Sequence, residues 1–494
     1  MDDTVSRQKL DLHFTNIRRN IVGNNFILNT PCGAKNLFYA DWIASGRLYR
    51  PIEKKILEYF GPMIANTHTE ASDTGIFMTA AYHKALNLIK EHVNASGNDA
   101  IITFGSGMTA VINKFQRILG LKYCGQISHL ECINLKEKPV VFITHMEHHS
   151  NHTSWLETHA DVVVIPPGKD LLISLNNLEI ELEKYKDRKV KIGSFTACSN
   201  VTGIETPYFE MAELMHNYGG VCFVDFAASA PYVDINMHPE NPKQSLDAIF
   251  FSPHKFLGGP GTSGVLIFNS SLYKSTIPDN PGGGTVDWTN PWGEYKYIDD
   301  IEAREDGGTP GFLQAIRTAL CIELKNQMGV EKMMMREEDL IKKSFNVLDK
   351  IKGLHILANK SRKRLSIISF YIDGLHYNLA VRLLNDYFGV QVRGGCACAG
   401  TYGHYLLNVS HEASKKITNK ISSGDLSEKP GWVRLSLHPA MSDKQLIYIL
   451  KAIKQVVKNK DEWSKNYCYN PKTNEFKHKS YMCSENKIDN AFTL

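Results

Sequence analysis

Short apolar, strand-like runs alternate with stretches of helical periodicity from about residue 75 to about residue 270, and this alternation limits the fold more than any other feature. Parallel strands need long crossover connections, which helices supply. The pattern therefore predicts an α/β fold with a mostly parallel sheet covered on both faces. With 494 residues, 43% of them hydrophobic and 22% charged, the chain is long enough for two packed domains. Phe312 to Lys352 has few breakers beyond Gly329 and reads as one or two long helices linking domains, and Leu365 to Ile372 and Gly389 to Val392 suggest strands of a smaller α+β domain.

Four places in and around the alternating region carry chemistry. The segment FFSPHKFLGGPGTSG, Phe250 to Gly264, follows the apolar run Leu246 to Phe251 and sets Lys255 before a glycine-rich turn. An ammonium confined there loses hydration, which lowers its pKa and frees its lone pair for attack on an aldehyde. A solvated lysine after a strand is the plainer alternative. Asp225 ends the apolar stretch Gly220 to Val224, at the strand edge where open α/β sheets place ligands. A carboxylate there can keep a pyridine nitrogen protonated, the charge that makes the ring of pyridoxal phosphate (PLP) an electron sink; a helix N-cap or turn aspartate is the other reading.

In IITFGSGMTAVIN, Ile101 to Asn113, a β-rich run meets glycines and then a helical pattern, so free amides at the helix start, Met108 and Thr109 first, suit a phosphate. Such turns also occur with no ligand. HMEHHSNHTSW, His145 to Trp155, carries four histidines after the run Val140 to Thr144. Their spacing does not match common zinc patterns, and an imidazole just beyond a strand can equally stack on an aromatic cofactor. No metal is expected.

The ordered set of glycine turn, EHHSN, SNVTG, VDFAA, SPHK, GGTPG and RGGCACAG resembles the class V aminotransferase superfamily of fold-type I PLP enzymes. Within it the chain is most similar to cysteine desulfurases of the selenocysteine lyase type and to the desulfurase-like domain of molybdenum cofactor sulfurases. The likeness runs from about Tyr39 to about Ser442. It implies a large PLP-binding domain over 41–311, a C-terminal part over 312–494, and a first segment, 1–40, that packs with the smaller domain. It also implies that Lys255 forms the covalent link to PLP, Asp225 holds the pyridine nitrogen, His148 stacks on the ring and Asn200 reaches the ring oxygen. Phosphate contacts are implied for Met108, Thr109, Ser252 and His254, with Thr309 of GGTPG reaching across from a neighbouring subunit of a homodimer. One departure stands out: Ala228 occupies the place of a glutamine that the family usually carries, which removes a hydrogen bond to the ring oxygen.

The segment VQVRGGCACAG, Val390 to Gly400, bears on sulfur chemistry. Cys398, five residues after Arg393, matches the nucleophile position of the selenocysteine-lyase-like group. The thiolate is the attacking form, and an adjacent cation such as Arg393 stabilises it. If the segment is extended, Cys396 points the same way as Cys398. It can then accept the persulfide, form a strained disulfide on oxidation, or only pack; packing or support is favoured. Arg434, in VRLSLHPAMS, falls where the family holds an α-carboxylate clamp, a task suited to a two-pronged guanidinium. Thr401 to Pro430 reads as a mobile lobe over the site. The implied reaction takes a small amino acid, L-cysteine, to L-alanine. It leaves a persulfide on Cys398, with His148 a candidate proton shuttle, and an acceptor, in one form a protein, must discharge the sulfur. Two rivals fit the same residues: a PLP-dependent lyase, aminotransferase or epimerase with no cysteine nucleophile, and a catalytically silent scaffold.

A formal charge of +4, dispersed along the chain, gives no footprint for a nucleic-acid partner. The ten cysteines, single except for Cys396 and Cys398, fit a reducing compartment. The first residues, MDDTVSRQKLDLHF, lack the apolar core of a secretory signal, and no stretch reaches membrane-spanning length, so a cytoplasmic location is expected. DWIASG (Asp41 to Gly46) and NTHTEAS (Asn66 to Ser72, with His68) look like family features without clear chemistry. Pro281 to Tyr295 reads as a flexible aromatic loop, and the tail from Asp461 as surface-wrapping, fraying after about Cys483.

Overall fold

Seven strands form the central sheet of the computed structural model, which describes residues 10–67, 69, 71–122, 137–480 and 490–493. In chain order they are β1 (Asp99–Phe104), β2 (Val140–Thr144), β3 (Asp161–Ile165), β4 (Lys191–Thr196), β5 (Val221–Asp225), β6 (Ala248–Phe251) and β7 (Gly264–Asn269). Their spatial order is β1-β7-β6-β5-β4-β2-β3. β2 to β6 pair in parallel, and β7 runs antiparallel between β6 and β1. This is the mostly parallel α/β sheet that the alternation predicts.

Side chains alternate across the strands, and both faces are apolar. Phe142, Phe195, Val224 and Ile249 join one core, whereas Val141, Ile143, Phe223 and Phe250 join another on the opposite face. Helices α1 (Asp73–His92), α2 (Met108–Ile118), α3 (His149–Leu156) and α4 (Phe312–Met328) supply the covering side chains: Met78, Ile89, Ala315 and Ile322 on the first face, Val111, Phe115 and Trp155 on the second. Gly329, at φ 77°, separates α4 from α5 (Val330–Leu348), so the long helical stretch is two helices broken at its one strong breaker.

A second, antiparallel sheet contains β8 (Leu354–Ile356), β9 (Ile367–Ile372), β10 (Arg393–Gly395) and β11 (Trp432–Ser436), in the order β8-β9-β11-β10. Around it lie α6 (Tyr377–Phe388), α7 (Gly400–Leu406), α8 (His411–Ser422) and α9 (Asp443–Trp463), the last begun by a capping box of Ser442 and Gln445. Near the N-terminus, Phe38–Tyr39 pairs in parallel with Val390–Gln391, and Thr30 Oγ1 donates to the Asp386 carbonyl at 2.6 Å. The polar tail forms a hairpin, Tyr467–Asn470 with Glu475–His478, that Tyr467 ties to Asp386 Oδ2 at 2.8 Å.

The aromatic stretch read as a flexible loop contains a paired hairpin, Val286–Thr289 with Tyr295–Tyr297, and leaves Trp292 82% exposed at its tip. His68 and the residues just after Cys483 lie outside the described set. Among the described residues no helix is long and apolar enough to cross a membrane.

Lys114 of α2 is fully buried and pairs with Glu305 at 2.7 Å, with Asp279 further off at 3.6 Å. This pair fixes α2 to the segment that follows the hairpin. Removing one member of a buried pair strands the other charge, so Lys114→Met is expected to cost about 3–5 kcal/mol, read as a lowered urea midpoint; an unchanged midpoint would show that the pair contributes nothing.

Candidate active site

β2, β4, β5 and β6 end along one edge of the central sheet, and a cavity of about 220 Å³ opens there. Asp225, the last residue of β5, stands in register with Thr196 and Phe250 and reaches the cavity wall. Burial raises its pKa to about 6, opposed by the Ala227 N–H, which donates to Oδ1 at 2.8 Å, and by the charge of Lys255.

Lys255 sits in the short 3-10 turn Pro253–Lys255 immediately after β6. Burial lowers its pKa to about 8; Asp225 opposes that shift, and Arg434 and Arg393 add to it. The turn is packed closely from behind. A Cβ on Gly46 would lie 1.8 Å from the Phe256 carbonyl oxygen, and the Gly46 N–H donates to the His254 carbonyl at 2.9 Å. The glycine of DWIASG therefore backs the lysine turn, a contact its sequence position does not reveal.

The glycine turn after β1 delivers the N-terminus of α2 to the same cavity, with Gly107 as an N-cap that has no side chain to occupy the free amides. The Met108 N–H donates to Ser252 Oγ at 2.9 Å, and Thr109 Oγ1 lies 2.6 Å from Ser150 Oγ. A Cβ at residue 107 would come within 3.1 Å of Ser252 Oγ, against the His254 ring. Met108, Thr109, Ser252 and His254 thus converge on one side of the cavity. Thr309 does not: it is exposed and lies off this wall.

The four histidines of HMEHHSNH have four different partners. His145 bonds to the Leu171 carbonyl, and His152 lies 3.3 Å from Thr401 Oγ1. His148 caps α3: its Nδ1 accepts the Ser150 N–H at 3.1 Å, which leaves Nε2 to carry the proton of the neutral ring. Burial first, and then the charge of Lys255, hold its pKa down to about 3. His149 donates its backbone N–H to the Cys398 carbonyl at 2.8 Å, and its Nε2 accepts the Gly400 N–H at 2.9 Å. Among the described residues no group of three or more His, Cys, Asp or Glu side chains is placed to hold a metal ion.

Two arginines enter from the second sheet. Arg434 is buried and donates from Nη2 to Asp41 Oδ1 at 2.9 Å and from Nη1 to the Asn200 carbonyl at 3.2 Å, while Nε has no partner. Arg393, about half exposed, donates from Nε to the other oxygen of Asp41 at 3.0 Å. Sequence reasoning missed Asp41; only its acidic character within DWIASG hinted at it. Asn200 donates from Nδ2 to the Ala397 carbonyl at 2.7 Å, and its Oδ1 is buried without a partner. Ala228 also lines the cavity, offering a methyl where the family's glutamine would offer an amide.

Cys398 is exposed on the cavity wall. It and Ala397 have φ of 56° and 50°, a left-handed pair of non-glycine residues that costs about 1–2 kcal/mol each. The segment is therefore not extended, and the two cysteines do not share a direction. Cys396 lines a separate, largely apolar cavity of about 130 Å³ beneath α8, with Ile417, Ile421 and Trp432. α8 is a helix within the stretch Thr401 to Pro430.

The family described as Aminotransferase class-V matches residues 38–448. The chain belongs to this family. A probable cysteine desulfurase of Halalkalibacterium halodurans is 27% identical over 381 residues, which cover 76% of this chain and 86% of that protein. A cysteine desulfurase from Thermococcus onnurineus NA1 has a TM-score of 0.71 at 22% identity, covering 90% of this chain and 98% of that one. Another, from Escherichia coli, reaches 0.68 at 20% identity over the same shares. These two likenesses show the fold.

In this member of the class-V family the site edge rests on Glu147, the acid of EHH. Its buried carboxyl accepts from Thr144 Oγ1 at 2.7 Å, the Thr196 N–H at 2.9 Å and Asn151 Nδ2 at 2.8 Å. Burial outweighs these bonds and raises its pKa to about 8 from 4.5. The folded state then keeps a proton that the unfolded chain loses near 4.5, so Glu147 contributes stability that drains away as pH rises towards about 8. Glu147→Gln is expected to flatten the fall in urea midpoint between pH 5 and pH 8 relative to the unaltered protein; parallel profiles would rule out a neutral carboxyl here.

Proposed function

We propose that this chain is a PLP-dependent cysteine desulfurase, converting L-cysteine to L-alanine with a persulfide formed on Cys398. The observation that carries the reading is the shared wall: Cys398, Lys255, Asp225 and Arg434 all face one cavity. The curated relative and the solved structures bearing that activity in their names support it.

The side chains present fit PLP. Asp225 suits a protonated pyridine nitrogen, Lys255 an aldehyde carbon, and Asn200, with its unpaired Oδ1, the ring oxygen. Met108, Thr109, Ser252 and His254 surround the side on which the N-terminus of α2, with Ser252 Oγ beside it, would meet a phosphate. When bound, PLP supplies an electron sink for negative charge developing at the substrate Cα.

The chain's residues supply the rest. Arg434 has its Nε buried and unpaired, and it receives the substrate carboxylate, with Asp41 fixing the guanidinium plane and Arg393 beside it. Lys255 in its amine form takes the Cα proton, which its lowered pKa permits near neutral pH. The Cys398 thiolate attacks the substrate sulfur; the new S–S bond forms as the Cβ–S bond breaks, and protonation leaves alanine. His148, holding its proton on Nε2 at the cavity wall, is placed to carry protons in these steps. An acceptor, a small thiol or a protein, then removes the persulfide sulfur. Thr309, exposed on its own subunit, fits a contact with the phosphate site of a partner in a homodimer.

Two measurements test this. Incubation with L-cysteine is expected to yield alanine and a persulfide on the Cys398 peptide by mass spectrometry, and Cys398→Ala to lower alanine formation about 100-fold or more; undiminished alanine from Cys398→Ala would favour a PLP enzyme without a cysteine nucleophile. The neutral fraction of Lys255 rises about tenfold per pH unit below its pKa of about 8 and levels off above it. The rate at which cofactor-free protein gains visible absorption on mixing with PLP should follow that curve, and a flat rate between pH 6 and 9 would count against it.

A further inference from the structure

His149 touches the loop of Cys398 twice and the cavity not at all. Its backbone N–H donates to the Cys398 carbonyl at 2.8 Å, and its ring Nε2 accepts the Gly400 N–H at 2.9 Å. Because a backbone N–H can only donate, Nε2 must present a lone pair, and the ring is the neutral tautomer with its proton on Nδ1. The two bonds grip the chain on both sides of Ala399, a buried residue whose own N–H donates to the Cys396 carbonyl at 3.1 Å. The gripped segment includes the left-handed pair Ala397 and Cys398, a backbone state that surrounding contacts must impose. Asn200 holds the near side through the Ala397 carbonyl, and His152 reaches Thr401 on the far side.

The fit at Gly400 is close. A Cβ there would sit 3.2 Å from His149 Nε2, so a side chain at residue 400 would press on the ring. His149 also begins α3 directly after His148, which lines the cavity. One helix start therefore presents a ring to the cavity with one residue and anchors the cysteine loop with the next. The neighbouring charges leave this arrangement intact: burial foremost, and then the ammonium of Lys429, lower the pKa of His149 and favour the neutral ring.

We propose that His149 is a positioning residue that sets Cys398 at the cavity wall, without itself touching substrate or cofactor. This rests on the desulfurase reading for its effect on turnover, though not for its effect on the loop. A specific signature follows, because His149 bonds to the loop through Cys398 and Gly400 but does not line the cavity.

The test compares the holoenzyme with His149→Ala and His149→Gln, the glutamine carrying an acceptor oxygen at about the reach of Nε2. In His149→Ala the visible cofactor absorption and the KM for L-cysteine are expected to stay within about twofold, while kcat falls about tenfold or more. The rate of Cys398 alkylation by iodoacetamide, followed on its peptide, should shift about fivefold or more, and His149→Gln should recover most of both losses. Alkylation and kcat of His149→Ala within twofold of the unaltered enzyme would overturn the proposal, as would loss of cofactor absorption in step with kcat in both variants. If the unaltered enzyme forms no persulfide at all, the desulfurase reading fails, and the alkylation comparison still decides whether His149 holds the loop.

Discussion

The common edge at which β2, β4, β5 and β6 end is the constraint on which the site depends. Parallel strands that stop together leave unpaired backbone groups and outward-facing side chains along one line, and both must find partners there. Glu147 manages the first. Its carboxyl accepts N–H groups from Thr144 and Thr196, the last residues of the neighbouring strands β2 and β4, and so extends the ladder beyond its final backbone bond. The outward-facing side chains of the edge include Asp225, whose orientation is set by the Ala227 N–H. An acid held neutral under the floor and an acid exposed to the cavity differ in what surrounds them, not in chemistry. The charge of Asp225 adds to the upward push on Glu147, whereas that of Lys255 opposes the push on Asp225.

The second sheet brings a different difficulty. Arg393 and Arg434 are register partners on β10 and β11, and like charges directly opposite on paired strands repel. Asp41 resolves this by giving one oxygen to each guanidinium. Its backbone bridges to Ser436 at the end of β11, so the carboxylate is held where the two cations meet. A short N-terminal segment is thereby tied to the second sheet through charge as well as a backbone bridge. It also backs the Lys255 turn through Gly46, five residues on. The DWIASG motif, which carries no reactive group, is a structural keystone between the lysine and the arginines.

These relations divide what the sequence reveals from what it hides. Lys255, Asp225 and the glycine turn are legible because each follows its own strand within a few residues, and local pattern is enough to put them at a strand end. Asp41 is hidden because its partners lie 352 and 393 residues away, and nothing local marks an acidic residue as shared. The direction of Cys396 is hidden for another reason. Alternation of side chains holds only for extended backbone, and the left-handed state of Ala397 and Cys398 is imposed by contacts from Asn200 and His149 rather than by glycine. The four histidines lie close together in the sequence, but a strand end, a helix cap and a loop anchor need different contacts. Their spacing along one short helix start distributes them accordingly.

Burial and charge act together on the cavity in a way that neither would alone. Desolvation raises Asp225 to about 6 and lowers Lys255 to about 8, pushing each towards neutrality, while their mutual attraction pushes back. Two cations, Arg393 and Arg434, stand on the far wall and weaken the hold of Lys255 on its proton. A lysine on an open surface would keep its proton at neutral pH and remain unreactive towards a carbonyl. Here burial supplies the desolvation, and the arginines that suit a carboxylate supply part of the electrostatic pressure. Removing Asp41 would therefore reach further than two ion pairs: it would leave both guanidinium charges uncompensated in the cavity and bias Lys255 still more strongly towards the free amine.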